Sequence, residues 1–264
     1  IANNCAGRGA AYFAANGGTA AGELSHADWM DVFRLEGVGG NALQKVSVKG
    51  ASALEVEVAL GTANDEGKFV ALKTVNVTLS SGIDIDYTFT EAGEYFVRVE
   101  APVNSDGVLV SPLLAIDSAT ADNFHAYTVK GDVVLVPQED RATGSAPVNA
   151  DTVVVRLEKD VKYRLDGLDA TAVPADTLKA EGEGNLYFVA LKNGDASLKL
   201  AGGNGASLTY QKWVPGSVGF VTAEKTVSET VGEVVVPFER TGGKSGKVTV
   251  SIAVNEDETD LYDY

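Results

Sequence analysis

Apolar residues recur at every second position in several stretches of this chain. Leu54, Val56, Val58 and Leu60 alternate with Glu55 and Glu57, a period of two that buries one face of a strand and wets the other. Val75, Val77 and Leu79 alternate with Thr74, Asn76 and Thr78; Tyr95, Val97 and Val99 with Phe96, Arg98 and Glu100; and Val248, Val250, Ile252 and Val254 with Thr249, Ser251 and Ala253. These patterns predict half-buried antiparallel strands. Turn residues punctuate them: Asn16-Gly17, Asn193-Gly194 and Asn204-Gly205 supply the positive φ angles of tight hairpins. Helix signals are sparse. The Ala-rich opening from Ala6 to Ala21 is broken by four glycines, and a short helix over Ser25 to Phe33, capped by Ser25 with Asp28 three residues on, is the one predicted. Two segments echo each other. Asp31 to Glu36 is mirrored by Val153 to Glu158, and Glu94-Tyr95-Phe96-Val97 by Leu186-Tyr187-Phe188-Val189, but Arg34 to Tyr95 is about twice as far as Arg156 to Tyr187, so a strict repeat fails.

Composition agrees with strands. Among 264 residues are 29 Gly, one Met and abundant Val, Thr and Ala, which favour strands joined by turns. The length suggests two or three modules, each with its own core. A formal net charge of −16 disfavours nucleic acid as a partner and leaves solubility or divalent cations as the uses of the excess acid. Cys5 is the single cysteine, so neither an internal disulfide nor a thiolate zinc cluster can form. No apolar run approaches the about eighteen residues of a membrane-spanning helix.

The stretch from Gly22-Glu23-Leu24 through Asp31-Val32-Phe33-Arg34-Leu35, followed by Asp84-Ile85-Asp86-Tyr87-Thr88-Phe89 and Ala92-Gly93-Glu94-Tyr95-Phe96-Val97-Arg98-Val99, resembles the bacterial pre-peptidase C-terminal domain. That resemblance implies a jelly-roll-like β-sandwich of the kind appended to secreted proteases and surface proteins. Asp151 to Gly167 matches the same pattern less fully. The last fifty residues resemble the first half of a Calx-β domain, through Val218-Gly219-Phe220, Thr226-Val227-Ser228-Glu229, Val234 to Gly243, Gly246 to Val250 and Asp263-Tyr264. Calx-β domains are calcium-binding, immunoglobulin-like sandwiches, and the resemblance implies calcium ligands at Glu229 and Asp263. Asp260 lies beside Asp263, among Glu256, Asp257 and Glu258, where a local loop site is conceivable, as is a solvated acidic hairpin tip. Calcium takes six to eight oxygens, and the later acidic cluster of the family has no counterpart here, so binding within these residues is expected to be weak.

Catalytic motifs are lacking. The histidines are His26 and His125, with neither a Gly-x-Ser-x-Gly elbow nor a His-Glu-x-x-His zinc motif, and both are expected in surface or loop roles. Asp84 and Asp86 share one face of a strand and are expected to be exposed carboxylates. Trp29, Trp213 and several tyrosines could stack on sugar rings, although Tyr95 and Tyr187 sit inside strand patterns and so in a core.

The sequence therefore predicts an all-β chain of tandem antiparallel sandwiches, jelly-roll or immunoglobulin-like: residues 1–122 with the Ala/Gly-rich opening, residues 123–214, and an incomplete Calx-β-like unit over 215–264. The expected function is a non-enzymatic structural or adhesive protein of the bacterial cell surface. Its partners would be other copies of itself or neighbouring surface domains, with filaments built by strand exchange. The alternative is a carbohydrate-binding accessory region of a secreted hydrolase. The apolar faces of 234–238 and 248–254 cannot be covered by half a sandwich, so downstream strands or a second copy are expected to complete them.

Overall fold

The computed structural model describes residues 11–26, 28–37, 42–104, 110, 124–147, 149–182, 184, 186–228, 230 and 232–252. The chain is all-β, as the alternation requires. The first nine strands are β1 (Ala11–Ala14), β2 (Gly18–Leu24), β3 (Met30–Glu36), β4 (Ala42–Gly50), β5 (Glu55–Ala63), β6 (Phe69–Thr78), β7 (Ile83–Phe89), β8 (Tyr95–Glu100) and β9 (His125–Leu135). Seven more follow: β10 (Ala142–Ser145), β11 (Thr152–Leu157), β12 (Lys162–Asp166), β13 (Leu178–Ala180), β14 (Tyr187–Ala190), β15 (Gly194–Lys199) and β16 (Ser207–Lys212). A hairpin of β17 (Ser217–Phe220) and β18 (Phe238–Thr241) closes the described part.

One long sheet, in the order β15-β11-β9-β4-β7, carries both sandwiches, with β2 on the outer edge of β9. A five-stranded sheet, β1-β3-β8-β5-β6, packs on one half of it and a second, β10-β16-β12-β14-β13, on the other. Two cores result. The first gathers Leu24, Phe33, Val46, Val48, Val58, Ile85, Phe89, Val97 and Val129, and the second Val153, Val155, Leu157, Tyr163, Leu165, Phe188, Leu198 and Leu208. Each such side chain taken fully from water contributes on the order of 1.5–3 kcal/mol.

Strand β9 belongs to both. Its first part pairs antiparallel with β2, from Leu24↔His125 to Gly18↔Gly131, while its other edge pairs with β4 from Gly50↔Tyr127 to Leu43↔Val134. At Val134 and Leu135 the edge vacated by β2 passes to β11, in parallel register with Val154 and Val155. Tyr127 and Val129 lie in the first core and Leu135 packs against the second. The division expected at 122/123 is thus corrected: the strand that follows it completes the first sandwich, and the passage to the second falls after Leu135. Gly144 in β10 is a glycine because Leu135 lies against it; a Cβ there would meet Leu135 Cδ1 at 2.5 Å.

Two other expectations change, and the echo finds no structural counterpart. Ser25 to Phe33 does not form a helix. The Ser25 hydroxyl accepts from the Asp28 amide at 3.2 Å, closing one tight turn, and Met30 then opens β3, whose Met30, Val32, Phe33 and Leu35 are buried. The segment 234–237 and residues 247–252 take no strand, and only Phe238–Thr241 pairs, with β17, because nothing among the described residues covers their apolar faces. The echo is not a structural repeat. Strand β3 pairs directly with β8, Phe33 opposite Val97, whereas β11 and β14 lie in different sheets.

Candidate functional site

Residues paired across a ladder share a face, so the register of the long sheet sorts its side chains. Lys45 opposes Asp86 and Asp132, Ser47 opposes Asp84, Leu43 opposes Thr88 and Val134, Val134 opposes Val154, and Arg156 opposes Asp195. All stand on the face turned away from the two cores, and there the two sandwiches are joined by charge. The Arg156 guanidinium grips Asp195 through Nε at 2.7 Å and Nη2 at 3.0 Å, and donates from Nη1 to Asp86 at 2.7 Å. Lys45 lies 2.9 Å from both Asp195 and Asp84, and the Ser47 hydroxyl donates to Asp84 at 2.6 Å.

These contacts fix a shape. Asp195 on β15 and Lys45 on β4 are three strands apart in the sheet order, as are Arg156 on β11 and Asp86 on β7. In a flat sheet three spacings amount to about 14 Å, with side chains standing perpendicular to the surface. Contact at under 3 Å therefore requires the outer face to curl inward at the seam, and the ion pairs hold the curl. The site's titration reflects the same contacts. Hydrogen bonds from Arg156 hold the Asp195 carboxyl below the usual carboxylate range against the opposing effect of burial. Burial pushes Asp84 up, but hydrogen bonds from Ser47 and Lys45 outweigh it and leave the carboxyl lowered. Arg156 is raised by its hydrogen bonds to Asp195 and Asp86. The cluster counts three carboxylates, Asp84, Asp86 and Asp195, against two cations, a local charge of −1.

A cleft of about 750 Å³ opens at this seam, where β9 passes its edge from β2 to β11. The Asn16 turn and Leu43 from the first sandwich and Thr143, Ser145 and Tyr210 from the second contribute to its walls, with Arg156 between them.

Asp84 and Asp86, expected as exposed carboxylates, have side chains 56% and 38% exposed and are also partners in the seam. Sequence reasoning passed over Arg156, Lys45 and Asp195; the one available signal was that Arg156 sits where β11 alternates inward valines with outward residues. Glu229, Asp260 and Asp263, the calcium candidates, lie outside the described residues, as does Cys5. His125 Nδ1 is 2.6 Å from the Ser52 hydroxyl. Trp29 packs against the first core, and Trp213 meets Tyr187 edge-on, ring centroids 4.9 Å apart at 68°. Among the described residues neither belongs to a coplanar aromatic platform.

The C-terminal segment is fastened at its base. Ser245 is buried, its hydroxyl accepting from the Val214 amide at 3.0 Å, and Arg240 donates to the carbonyls of Pro215, Ser245 and Gly246. Beyond that anchor, Phe220, Val235, Phe238, Val250 and Ile252 are exposed.

No protein-family model and no curated protein matches the chain. Among solved structures it is similar to the pre-peptidase C-terminal domain of a collagenase from Bacillus anthracis, at 15% identity and a TM-score of 0.32, over 47% of this chain and 94% of that one. It is also similar to PliG of Aeromonas hydrophila, a periplasmic lysozyme inhibitor of g-type lysozyme, at 10% identity and a TM-score of 0.30, over 47% of this chain and 96% of that one.

Proposed function

We propose that the chain is a non-enzymatic structural or adhesive protein of the bacterial surface, in which two sandwiches act as one stiff spacer and the C-terminal segment joins it to a second copy. The observation that carries the spacer reading is the seam: a strand shared by both cores, closed on its outer face by the Arg156, Lys45, Asp84, Asp86 and Asp195 cluster. A flexible linker would let the modules swing, whereas a continuous ladder with cross-seam ion pairs resists bending. The surface location rests on the pre-peptidase and Calx-β resemblances.

Self-association is supported by the exposed β-branched and aromatic residues of the hairpin region. Pairing strands across copies covers the apolar face and the free edges together. A head-to-tail contact of this kind extends into a filament unless it closes.

Small-angle scattering and sedimentation velocity of the full chain test both parts. A maximum dimension fitting one fixed arrangement of the two sandwiches, with concentration-dependent oligomers abolished by a paired Val235→Lys and Ile252→Lys substitution, is the expected result. Scattering that needs an ensemble of intermodule angles would overturn the spacer, and a monomer at all concentrations would overturn the self-association.

A further inference from the structure

Besides its mechanical role, the seam encloses a site. We propose that the cleft between the two sandwiches binds a neutral, hydroxyl-rich ligand, a short glycan segment, through Arg156, Tyr210, Gln138, Thr143 and Ser145, with Leu135 as the apolar contact.

The size fits. About 750 Å³ lies within the range of roughly 300–1,000 Å³ typical of small-molecule sites, which favour junctions between domains. The polar groups are held in place and partly unused. Arg156 spends three of its five N–H donors on Asp195 and Asp86, which lock its orientation and leave two donors at the cleft. Tyr210 is 9% exposed, lines the cleft, and its hydroxyl takes no hydrogen bond among the described residues; burial alone raises its ionisation. Its hydroxyl is reached by the water of the cleft, and an incoming sugar hydroxyl takes that water's place. Gln138, Thr143 and Ser145 add an amide and two hydroxyls, each able to donate and accept, as a sugar hydroxyl requires. Leu135, fixed against Gly144, offers C–H surface to the apolar face of a ring.

Charge selects the class. Arg156 is neutralised by its two carboxylates and the cluster around it carries −1, so an anionic sugar gains nothing on entry and a neutral one loses nothing. Recognition here is by hydrogen bonding in a cleft and needs no aromatic platform, and it does not depend on self-association of the C-terminal segment.

The test is titration of the isotopically labelled full chain with cellobiose, maltose, lactose and N,N′-diacetylchitobiose, and with a uronic-acid disaccharide as the anionic control, followed by amide shifts. Saturable shifts confined to residues 134–145, 154–157 and 208–212 with at least one neutral disaccharide are expected, with the control silent. Tyr210→Phe, which keeps the ring and so the core, and Gln138→Ala, on the exposed rim, are each expected to weaken binding about tenfold, equivalent to losing one hydrogen bond of about 1.4 kcal/mol. No saturable shift with any neutral disaccharide, shifts mapping elsewhere, equal binding of the anionic control, or undiminished affinity in both variants would overturn the proposal. Unchanged scattering in the same samples separates its failure from failure of the spacer.

Discussion

Replacing Arg156 by alanine removes one ion pair across the seam, to Asp86, and one within the second sandwich, to Asp195, in a single step. The pair with Asp86, a side chain 38% exposed, belongs with solvent-screened pairs at about 0.2–1 kcal/mol. Asp195 is 14% exposed and would keep only Lys45 at 2.9 Å, so losing a two-pronged guanidinium there costs more than a surface pair and less than the 3–5 kcal/mol of a fully buried one, about 1.5–2 kcal/mol. Together the loss is about 2–3 kcal/mol. For a chain of this size each kcal/mol moves the thermal midpoint by about 2–4 °C, so calorimetry should show a fall of about 4–12 °C. Asp195→Ala and the double variant complete a cycle. If Arg156 and Asp195 act on each other as the geometry states, the double variant loses about 1–1.5 kcal/mol less than the two single losses added together. Arg156→Lys keeps the charge without the fork and should fall between wild type and alanine. A midpoint for Arg156→Ala within about 1 °C of wild type would refute the claim that the seam charges stabilise the fold, and strict additivity in the cycle would refute the coupling of Arg156 to Asp195.

Acid should loosen the same seam. Asp195 and Asp84 have lowered folded values, so their contribution is fully present above the unfolded value of 3.8 and is lost as pH falls through the folded ones; the midpoint should hold from neutrality to about pH 4 and drop below it, less steeply in Asp195→Asn. Tyr127→Phe removes the donor whose hydroxyl lies 2.6 Å from the part-buried Asp31 carboxylate, and chemical denaturation should show a loss of about 1–3 kcal/mol. Gly22→Ala attacks that contact from the other side: its Cβ would meet the Tyr127 ring at 2.4 Å and Asp31 Oδ2 at 2.9 Å, so a loss of about 1–3 kcal/mol accompanied by a shift in tyrosine near-ultraviolet dichroism is expected, and a silent substitution would show that the pair is not packed as described.

The strands were legible where alternation was clean and a neighbouring sheet was there to cover it; Val248, Val250 and Ile252 alternate as cleanly and take no strand. Val56, Val58 and Leu60 are buried and Glu55 is exposed, as a period of two dictates. The Ser25 turn was misread because a serine accepting from an amide three residues on is common to a helix cap and to an isolated turn; what separates them is the burial of Met30, Val32 and Leu35, which only tertiary structure supplies. Strand β9 was assigned to one module although it serves both, because its alternation, Tyr127, Val129 and Gly131 inward, names a face and not a partner, and its partners β2 and β4 lie about a hundred residues back. The seam was invisible for a stronger reason. Arg156 and Asp86 are 70 residues apart and Lys45 and Asp195 are 150, and in a chain with 37 acidic residues no local pattern selects one pair among so many. The cleft follows from the seam and was hidden with it.

Because β9 serves both cores, the chain has no clean place to be cut. Severing it between Leu135 and Thr152 would strip β11 of its parallel neighbour and leave an open edge on the second sandwich, the kind of edge that recruits other strands. Severing it before His125 would take from the first sandwich the strand that pairs with both β2 and β4. The two halves are therefore a single unit of inheritance: recombination that moves one without the other yields two sticky fragments, and the pair can be duplicated, swapped or tethered to other domains only as a whole.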